Sequence, residues 1–371
     1  MRMLRSLPPA EFECHVVVPA EPPLRAEYEA TGAAVHIVPM ARISRSHRAT
    51  EWLAYACAWP IVVARLVWLI RALDIDVVHS NSLHSWYGWA AAAITRRPHV
   101  WHAREIVVQS DRALMVERYL TRRFATRVVC MSSAIAEQLP GADTVVIAET
   151  VDPEEFSPAR AGRFRADVGI PDDAPLVGGA GRIDTWKGFD VLLDAFESVR
   201  ASVPDAQLVI AGGPVIGKEW LAEQLAARAA TIPGAHWLGP RTDIANVLAD
   251  LDCFVLPSTE PEPYGLVAVE ALASGVPVVM TDGGGPREIA AAAAPGAAAL
   301  VPPGDAPALA TAIAARLASI GPTSGEFRRA RTVLRTPEPE RFAAVFRGVH
   351  HAPVRRQLTK SRTNEPVVPE E

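Results

Sequence analysis

The segment Ser258-Thr-Glu-Pro-Glu-Pro-Tyr-Gly-Leu-Val-Ala-Val-Glu270 decides the fold, because it joins a strand pattern to a helix pattern through a proline-rich loop. The run Asp252–Pro257 before it is short and apolar, as expected of a buried strand. Glu262 lies among prolines and glycine, which helix interiors exclude, so it belongs to the loop. From Leu266 the residues favour helix. Glu262 is therefore predicted at the mouth of a strand-to-helix turn, with Glu270 about one turn into the helix.

This predicted turn offers two kinds of binding group. The N-terminus of the helix attracts an anion, by about 0.3–1 kcal/mol at a surface and up to ~2 kcal/mol when partly buried. The carboxylates of Glu262 and Glu270 can accept hydrogen bonds from hydroxyl groups. A nucleotide sugar has both an anionic and a hydroxylated part. The simpler alternative is a pair of solvated glutamates beside a loop.

A second motif, Gly181-Arg-Ile-Asp-Thr-Trp-Lys187-Gly188, follows a predicted strand at Leu176–Ala180. It is not a P-loop, since Gly rather than Ser or Thr follows Lys187 and the glycine spacing differs. No Gly-x-Gly-x-x-Gly follows any predicted strand, which argues against a nicotinamide dehydrogenase. Lys187 is one of only three lysines in a chain that otherwise uses arginine. With Arg182 it places two cations in one loop, where they can bind an anionic group, and two solvated surface cations are the simpler alternative.

Together the two motifs resemble the donor-binding signatures of the retaining glycosyltransferases of family 4, which have the GT-B fold. The resemblance implies transfer of a sugar from a nucleoside-diphosphate donor. It also implies a front-face substitution, in which the donor phosphate takes the acceptor proton and no metal takes part. Tyr264 replaces the more usual Phe of that family.

The resemblance assigns roles to particular residues. Arg182 and Lys187 are expected to grip the donor diphosphate, and Glu262 to hold the sugar, so we class all three as catalytic. Glu270 is expected to bind the ribose hydroxyls. The other donor-binding groups are expected in the same two loops: Gly181, Tyr264, Gly265 and Leu266.

Length and composition indicate a globular protein of two domains, with 371 residues of which 49% are hydrophobic and 21% charged. The net charge is −5, and residues 1–150 hold 16 arginines against 14 acidic residues, so nucleic acid is not an expected partner. The four cysteines lie far apart and form no Cys-x-x-Cys or Cys/His cluster, which indicates neither a zinc site nor a disulfide framework. The start lacks an apolar signal-peptide region, so we expect a cytoplasmic protein.

Strand and helix patterns alternate along the chain, which predicts parallel sheets with helices on both faces. With the resemblance, this gives an α/β fold of the GT-B type: two Rossmann-like, doubly wound domains facing across a cleft. We expect the acceptor-side domain at 1–151 and the nucleotide-sugar domain at 152–335, joined through the hinge Val151–Pro158. Residues 336–351 are expected to form a crossover helix, and 352–371 a disordered tail.

Two departures from the family pattern stand out. The family's first strand and Gly-rich loop are missing ahead of the predicted strand Glu13–Pro19. Either the start codon is placed too late, which we favour, or the protein is a remnant. Glu149-Thr150 stands at the hinge where Asn-Gly is usual, and the sequence gives no account of that change.

Polar residues at the strand ends of the first domain are expected to face the cleft, because ligands bind beyond the carboxyl ends of parallel strands. His102 matches a histidine found near the sugar in the resembling enzymes, and we expect it to take part in catalysis by positioning. Arg104 and Asn81 are expected on the acceptor side. A purely structural role is the alternative for His102.

The stretch Trp52–Leu73 is long and apolar, but Pro60 and Arg65 interrupt it. An arginine at the centre of a bilayer costs roughly 2.5–3.5 kcal/mol. We therefore expect a helix packed in the first domain rather than a transmembrane span. Peripheral contact with an anionic membrane is a second, compatible expectation. It rests on nearby arginines and tryptophans: Arg42, Arg45, Arg48, Trp52, Trp59 and Trp68.

The predicted function is a retaining transfer of a hexose from a UDP- or GDP-sugar to a hydroxyl of an acceptor saccharide, lipid or small molecule. No cofactor and no metal are expected, since no Asp-x-Asp stands at a strand end in a loop suited to a metal, and Asp74-Ile-Asp76 opens a predicted strand instead. We expect it in the cytoplasm, at the inner face of the membrane if contact occurs. Two alternatives stay open: a GT-B nucleotide-sugar epimerase, and a non-catalytic sugar-nucleotide-binding remnant.

Overall fold

The computed structural model describes residues 2–22, 24–41, 49–108, 110–149, 151–319 and 340–350. Strands and helices alternate through both halves, and the described strands pair only in parallel. This confirms the predicted α/β fold with two parallel-sheet domains. The expectations for Arg42, Arg45, Arg48, Thr150 and the tail 352–371 fall outside the described residues.

The first domain has six strands and six helices in the described part of the chain. The strands are β1 His15–Val18, β2 Ala34–Ile37, β3 Val78–Ser80, β4 His99–Ala103, β5 Arg127–Cys130 and β6 Thr144–Val146. The helices are α1 Arg2–Arg5, α2 Arg25–Glu29, α3 Ala49–Ala72, α4 Trp86–Thr95, α5 Asp111–Phe124 and α6 Ser133–Glu137. Ser110 and Ser132 cap α5 and α6, since the side chain of each accepts a backbone N–H of the first turn.

The strands of the first domain form two separate sheets. β1 pairs with β2 alone, whereas β3, β4, β5 and β6 form a four-stranded sheet in that order. The N–H groups of Ala34 and Val38 donate to the carbonyl oxygens of Cys14 and Val18. Every second residue from Cys14 to Val18 therefore directs its backbone N–H and C=O groups toward β2. The intervening residues of β1 point their backbone groups the other way, where no described strand pairs with them. Both β1 and β3 line one large cavity, so space lies open beside each of them.

The second domain follows the same alternation. Its strands are β7 Leu176–Ala180, β8 Gln207–Ala211, β9 Ala235–Gly239, β10 Cys253–Leu256, β11 Val278–Thr281 and β12 Ala298–Val301. Its helices are α7 Phe164–Val168, α8 Phe189–Ser202, α9 Glu219–Ala229, α10 Ile244–Ala249, α11 Leu266–Ala273, α12 Pro286–Ala292 and α13 Ala306–Ser319. The six strands form one sheet in the order β12-β11-β10-β7-β8-β9. β7 and β10 are therefore neighbours, although more than 70 residues separate them.

A buried ion pair holds the first helix of the second domain in place. Arg165 of α7 donates from Nη2 to Oδ2 of Asp252 at 2.7 Å, and both side chains are largely buried. The carboxylate of Asp250 accepts the backbone N–H groups of Gly162, Phe164 and Arg165. These bonds satisfy N–H groups at the start of α7 that would otherwise lack partners.

The last described helix, α14 Glu340–His350, packs against the first domain. Its Phe342, Phe346 and Val349 lie in one apolar cluster with Val100 of β4 and Val129 of β5. Arg347 also pairs with Glu11 near the start of the chain, from Nε to Oε2 at 2.8 Å. The chain thus returns to the first domain after completing the second.

Candidate active site

A cavity of about 2070 Å³ opens between the two domains. Residues after the carboxyl ends of strands in both domains line it, as expected of parallel sheets. Seven of the predicted site residues lie on its wall in the second domain: Gly181, Arg182, Lys187, Glu262, Tyr264, Gly265 and Leu266. Asn81 and Arg104 of the first domain lie on it as well. Glu270 and His102 do not.

An ion pair on this wall joins the two sequence motifs. Lys187 follows β7 and Glu262 follows β10, and these strands are neighbours in the sheet. The ammonium of Lys187 donates to Oε2 of Glu262 at 2.6 Å, and the hydroxyl of Ser258 donates to the same oxygen at 2.7 Å. Both members of the ion pair are nearly buried. The ammonium also lies 4.2 Å from the ring centroid of Trp186. Its position on the cavity wall is therefore fixed from two sides.

The loop that carries Glu262 is held by the next loop along the sheet. The N–H of Glu262 donates to the carbonyl of Gly283 at 3.2 Å, and its carbonyl accepts the N–H of Gly285 at 2.8 Å. A side chain at Gly285 would clash with the backbone of Tyr264, so the two loops approach more closely than any other residue would permit. This packing orients the Glu262 carboxylate toward Lys187.

Helix α11 begins directly at the cavity. Gly265 precedes it with φ of +94°, and no side chain caps the first turn, whose residues Leu266 and Val267 line the cavity. The helix terminus thus presents its N–H groups and positive dipole end to the space beside Lys187. Glu270 lies one turn further along, and its side chain is buried behind that wall.

Arg182 supplies a second cation. It follows Gly181, whose N–H donates to the carbonyl of Ala211 at 3.0 Å, and it lines the cavity. Its guanidinium makes no hydrogen bond or ion pair with the described residues, unlike the ammonium of Lys187. The nearby Asp184 pairs with Lys218 instead. Although burial opposes ionisation, that ammonium and the N–H of Thr185 keep the pKa of the Asp184 carboxyl below its usual value.

Two family models match the chain and together span most of it. Residues 1–155 match the model described as Glycosyltransferase Family 4, and residues 174–319 match the model described as Glycosyl transferases group 1. The second match contains both motifs on the cavity wall.

The chain belongs to glycosyltransferase family 4.

Curated relatives of this family-4 protein include the D-inositol 3-phosphate glycosyltransferase of Stackebrandtia nassauensis. The two are 34% identical over 243 residues, which is 57% of this chain and 53% of the relative. The enzyme of that name from Mycobacterium bovis is 31% identical over 256 residues, 62% of this chain and 52% of the relative. The chain thus spans about half the length of the curated relatives it matches.

Solved structures resemble the family-4 chain over nearly its whole length. HepE of Anabaena, solved with UDP and glucose, is 25% identical, with a TM-score of 0.71 over 90% of this chain and 91% of that one. A glycosyltransferase of Rickettsia africae has a TM-score of 0.73 at 18% identity, over 94% and 93% of the two chains, and shows the fold alone. The GT-B fold predicted from the sequence is confirmed.

On the first-domain side, Arg104 has a protein partner. Its guanidinium forms an ion pair with Glu149, and both residues line the cavity. Glu149 is the acid that replaces the usual Asn of the family-4 hinge, so the structure gives a physical account of that departure. The neighbouring Glu105 accepts the hydroxyl of Ser82 at 2.5 Å and the N–H of Leu83 at 3.1 Å, which fixes the loop after β3 that carries Asn81.

His102 lies away from the cleft, contrary to the expectation that it faces the sugar. Its ring is buried and packs against His79 and against Phe342 of α14, with centroid separations of 5.7 Å in each case. Neither ring nitrogen has a hydrogen-bond partner in the described part of the chain. Burial, with the charges of His79 and Arg104 nearby, lowers the pKa of His102 well below its usual value. A neutral, structural side chain fits this position.

Sequence reasoning missed several residues that shape the site. Ser258 and Trp186 hold the Lys187–Glu262 pair, yet neither residue type carries a distinctive signal. Glu149 did carry a signal in the sequence, because it stands where the family usually has Asn. In the described residues, no three His, Cys, Asp or Glu side chains are arranged to hold a metal ion.

Proposed function

We propose that this protein transfers a hexose, with retention of configuration, from a UDP- or GDP-sugar to a hydroxyl of an acceptor saccharide, lipid or small molecule. The observation that carries the proposal is the grouping of Lys187, Arg182 and the N-terminus of α11 on one wall of the cleft. A diphosphate carries the charge that such a group attracts.

The donor is proposed to lie with its diphosphate against this wall. Arg182 is the cation without a described protein partner, so it can turn to the phosphates without first breaking an ion pair. Lys187 contacts Glu262 through one N–H and keeps further donors for phosphate oxygens. Glu270 is proposed to accept the ribose hydroxyls, and Glu262 to hold the sugar. The relative solved with UDP and glucose supports a UDP-sugar as the first donor to test.

The chemical step is proposed as a front-face substitution. The bond between the anomeric carbon and the diphosphate oxygen breaks, a bond to the acceptor oxygen forms on the same face, and a phosphate oxygen takes the acceptor proton. The cations stabilise the charge that develops on the leaving diphosphate, so no metal is needed for that purpose. Glu262 is poorly suited to act as a nucleophile, because its Oε2 already accepts bonds from Lys187 and Ser258.

The proposal places the protein in the cytoplasm. Cys14, Cys57, Cys130 and Cys253 are all free thiols, which suits a reducing compartment. The acceptor is proposed to enter from the first domain beside Asn81. Arg104 is neutralised there by Glu149, so the acceptor side offers less positive charge than its sequence suggests.

The test is product analysis with UDP- and GDP-sugars, each supplied with a panel of acceptor hydroxyls. The proposal expects nucleoside diphosphate and glycosylated acceptor in equal amounts, an anomeric configuration equal to that of the donor, and rates unchanged by a chelator. An isomerised nucleotide sugar without release of diphosphate would instead identify an epimerase. Thermal stabilisation by nucleotide sugars without any turnover would identify a binding protein.

A further inference from the structure

A continuous apolar surface lies on the solvent side of α3. Its exposed residues recur every three or four positions, which places them on one face of the helix. We name this surface the α3 face, and its residues are Leu53, Cys57, Ile61, Ala64, Trp68 and Ala72. The face is about 28 Å long, given the rise of 1.5 Å per residue.

The large side chains of the α3 face are unusually open to solvent. Leu53 is 66% exposed, Ile61 58% and Trp68 69%. Ile94, at the end of α4, is 55% exposed and extends the surface sideways, across a shallow depression that it shares with Trp68. Exposed apolar surfaces of this extent mark contacts with another apolar phase or molecule.

The opposite face of α3 holds the helix in the first domain. Val62, Val63, Val67 and Ile70 are buried there against Tyr87 and other residues of α4. By length and composition Leu53–Ala72 resembles a membrane span, with a mean hydropathy of 1.9, but that packing would be lost if the helix crossed a bilayer. Any membrane contact must therefore leave the helix lying along the surface.

The charges around the α3 face are positive. The sequence has no acidic residue between Glu51 and Asp74. Arg65 and Arg71 lie exposed beside the apolar stripe and make no ion pair with the described residues. An anionic surface would supply the missing partners, while Trp68 is suited to the boundary between lipid headgroups and acyl chains.

We propose that the α3 face docks on an anionic lipid membrane. A second copy of the chain fits less well, because a two-fold contact would bring Arg65 and Arg71 of both copies onto a face without carboxylates. The lipid surface satisfies both the apolar stripe and the arginines beside it. Docking needs neither donor nor acceptor, so it can be measured independently of glycosyl transfer.

The test is sedimentation of the full chain with vesicles of phosphatidylcholine containing about one third phosphatidylglycerol, a strongly anionic composition. We expect Trp68→Ser combined with Ile61→Ser to reduce vesicle binding by about tenfold or more, because both side chains lose apolar burial. Arg65→Gln with Arg71→Gln should remove the preference for phosphatidylglycerol over pure phosphatidylcholine. The matched control is Trp220→Ser, a 55% exposed tryptophan of the second domain, which should bind as the unaltered chain does.

Three results would overturn the proposal. The unaltered chain could stay in the supernatant with anionic vesicles. The Trp68→Ser/Ile61→Ser variant could bind as well as Trp220→Ser. Sedimentation velocity without lipid could show a dimer that the same double substitution dissociates, which would assign the α3 face to a second copy. Circular dichroism of each variant checks that the exposed substitutions leave the fold intact.

Discussion

The ammonium of Lys187 lies 2.6 Å from the carboxylate of Glu262, across two loops that follow the neighbouring strands β7 and β10. The pair ties together the two segments that are expected to bind the diphosphate and the sugar. The pair also affects the charge of the cleft wall, because the carboxylate of Glu262 offsets the charge of Lys187. Arg182 lies on the same wall and has no ion-pair partner among the described residues. Substitutions at the two cations should therefore have different consequences.

We predict that Lys187→Ala lowers turnover by roughly 10²–10³-fold, the scale of losing one group that stabilises charge in the transition state. It should also lower the free energy of unfolding by about 1–3 kcal/mol, because the Glu262 carboxylate loses its charged partner while nearly buried. Steady-state kinetics and urea denaturation measure the two effects.

Arg182→Ala is the matched comparison. Turnover should fall similarly, but the free energy of unfolding should change by less than about 0.5 kcal/mol, as at an unpaired surface position. A Lys187→Ala variant that turns over within a few-fold of the unaltered chain would contradict the diphosphate role. Equal loss of stability in both variants would contradict the pairing.

Glu270→Ala is expected to weaken nucleotide binding by about 1.5–3 kcal/mol, the range for hydrogen bonds to a charged group. Isothermal titration calorimetry with UDP and GDP measures this. Glu223→Ala, at an exposed position of α9, is the control and should leave affinity unchanged. Because Glu270 lies behind the cavity wall, unaltered affinity would show that the ribose does not reach it.

Stability should fall in mild acid because the first domain buries neutral histidines. Burial, helped by the guanidinium of Arg104, lowers the pKa of His79 to about 4, and burial lowers that of His99 to about 3. In the unfolded chain both titrate near about 6.5. Above that pH both histidines are neutral in the folded and in the unfolded chain, so they do not make the free energy of unfolding depend on pH. Below it the unfolded chain binds protons first, so the free energy of unfolding falls by up to about 1.4 kcal/mol per pH unit for each histidine.

His79→Phe tests this, because it keeps an aromatic ring against Phe346 and removes the titrating group. The free energy of unfolding, measured by urea denaturation between about pH 7 and about pH 5, should fall less steeply with falling pH in the variant. The difference in slope should approach roughly one proton taken up on unfolding. Identical slopes in the two proteins would mean that His79 is already protonated, or exposed, in the folded state.

Backbone amides on the two sides of β1 should differ in hydrogen exchange. His15 and Val17 direct their N–H groups away from β2, toward the open side of the strand, whereas Val16 and Val18 face β2. We expect the first pair to exchange about tenfold faster or more than the second. β5, which has a strand on each side, is the internal control and should show slow exchange throughout. Uniform protection along β1 would mean that some segment covers its open side.

The helices of the second domain were largely readable from the sequence. The apolar periodicity predicts helices over Phe189–Ser202, Pro286–Ala292 and Ala306–Ser319, and these bounds agree with α8, α12 and α13. Apolar periodicity, and the glycines and prolines at which it ends, are local signals, so they can be read from a single sequence. The same signals placed Lys187 and Glu262 after strands, and the structure shows that these two strands are neighbours in one sheet.

Only the tertiary structure decided how distant segments meet. The sequence placed His102 near the end of a strand but could not show that α14, more than 200 residues later, covers it. It marked Glu149 as unusual without indicating Arg104 as its partner. In α3 both faces are apolar, so periodicity could not tell which one packs on α4 and which one meets solvent. Burial and pairing depend on contacts between segments far apart in the chain, whereas the sequence pattern determines what each segment can become.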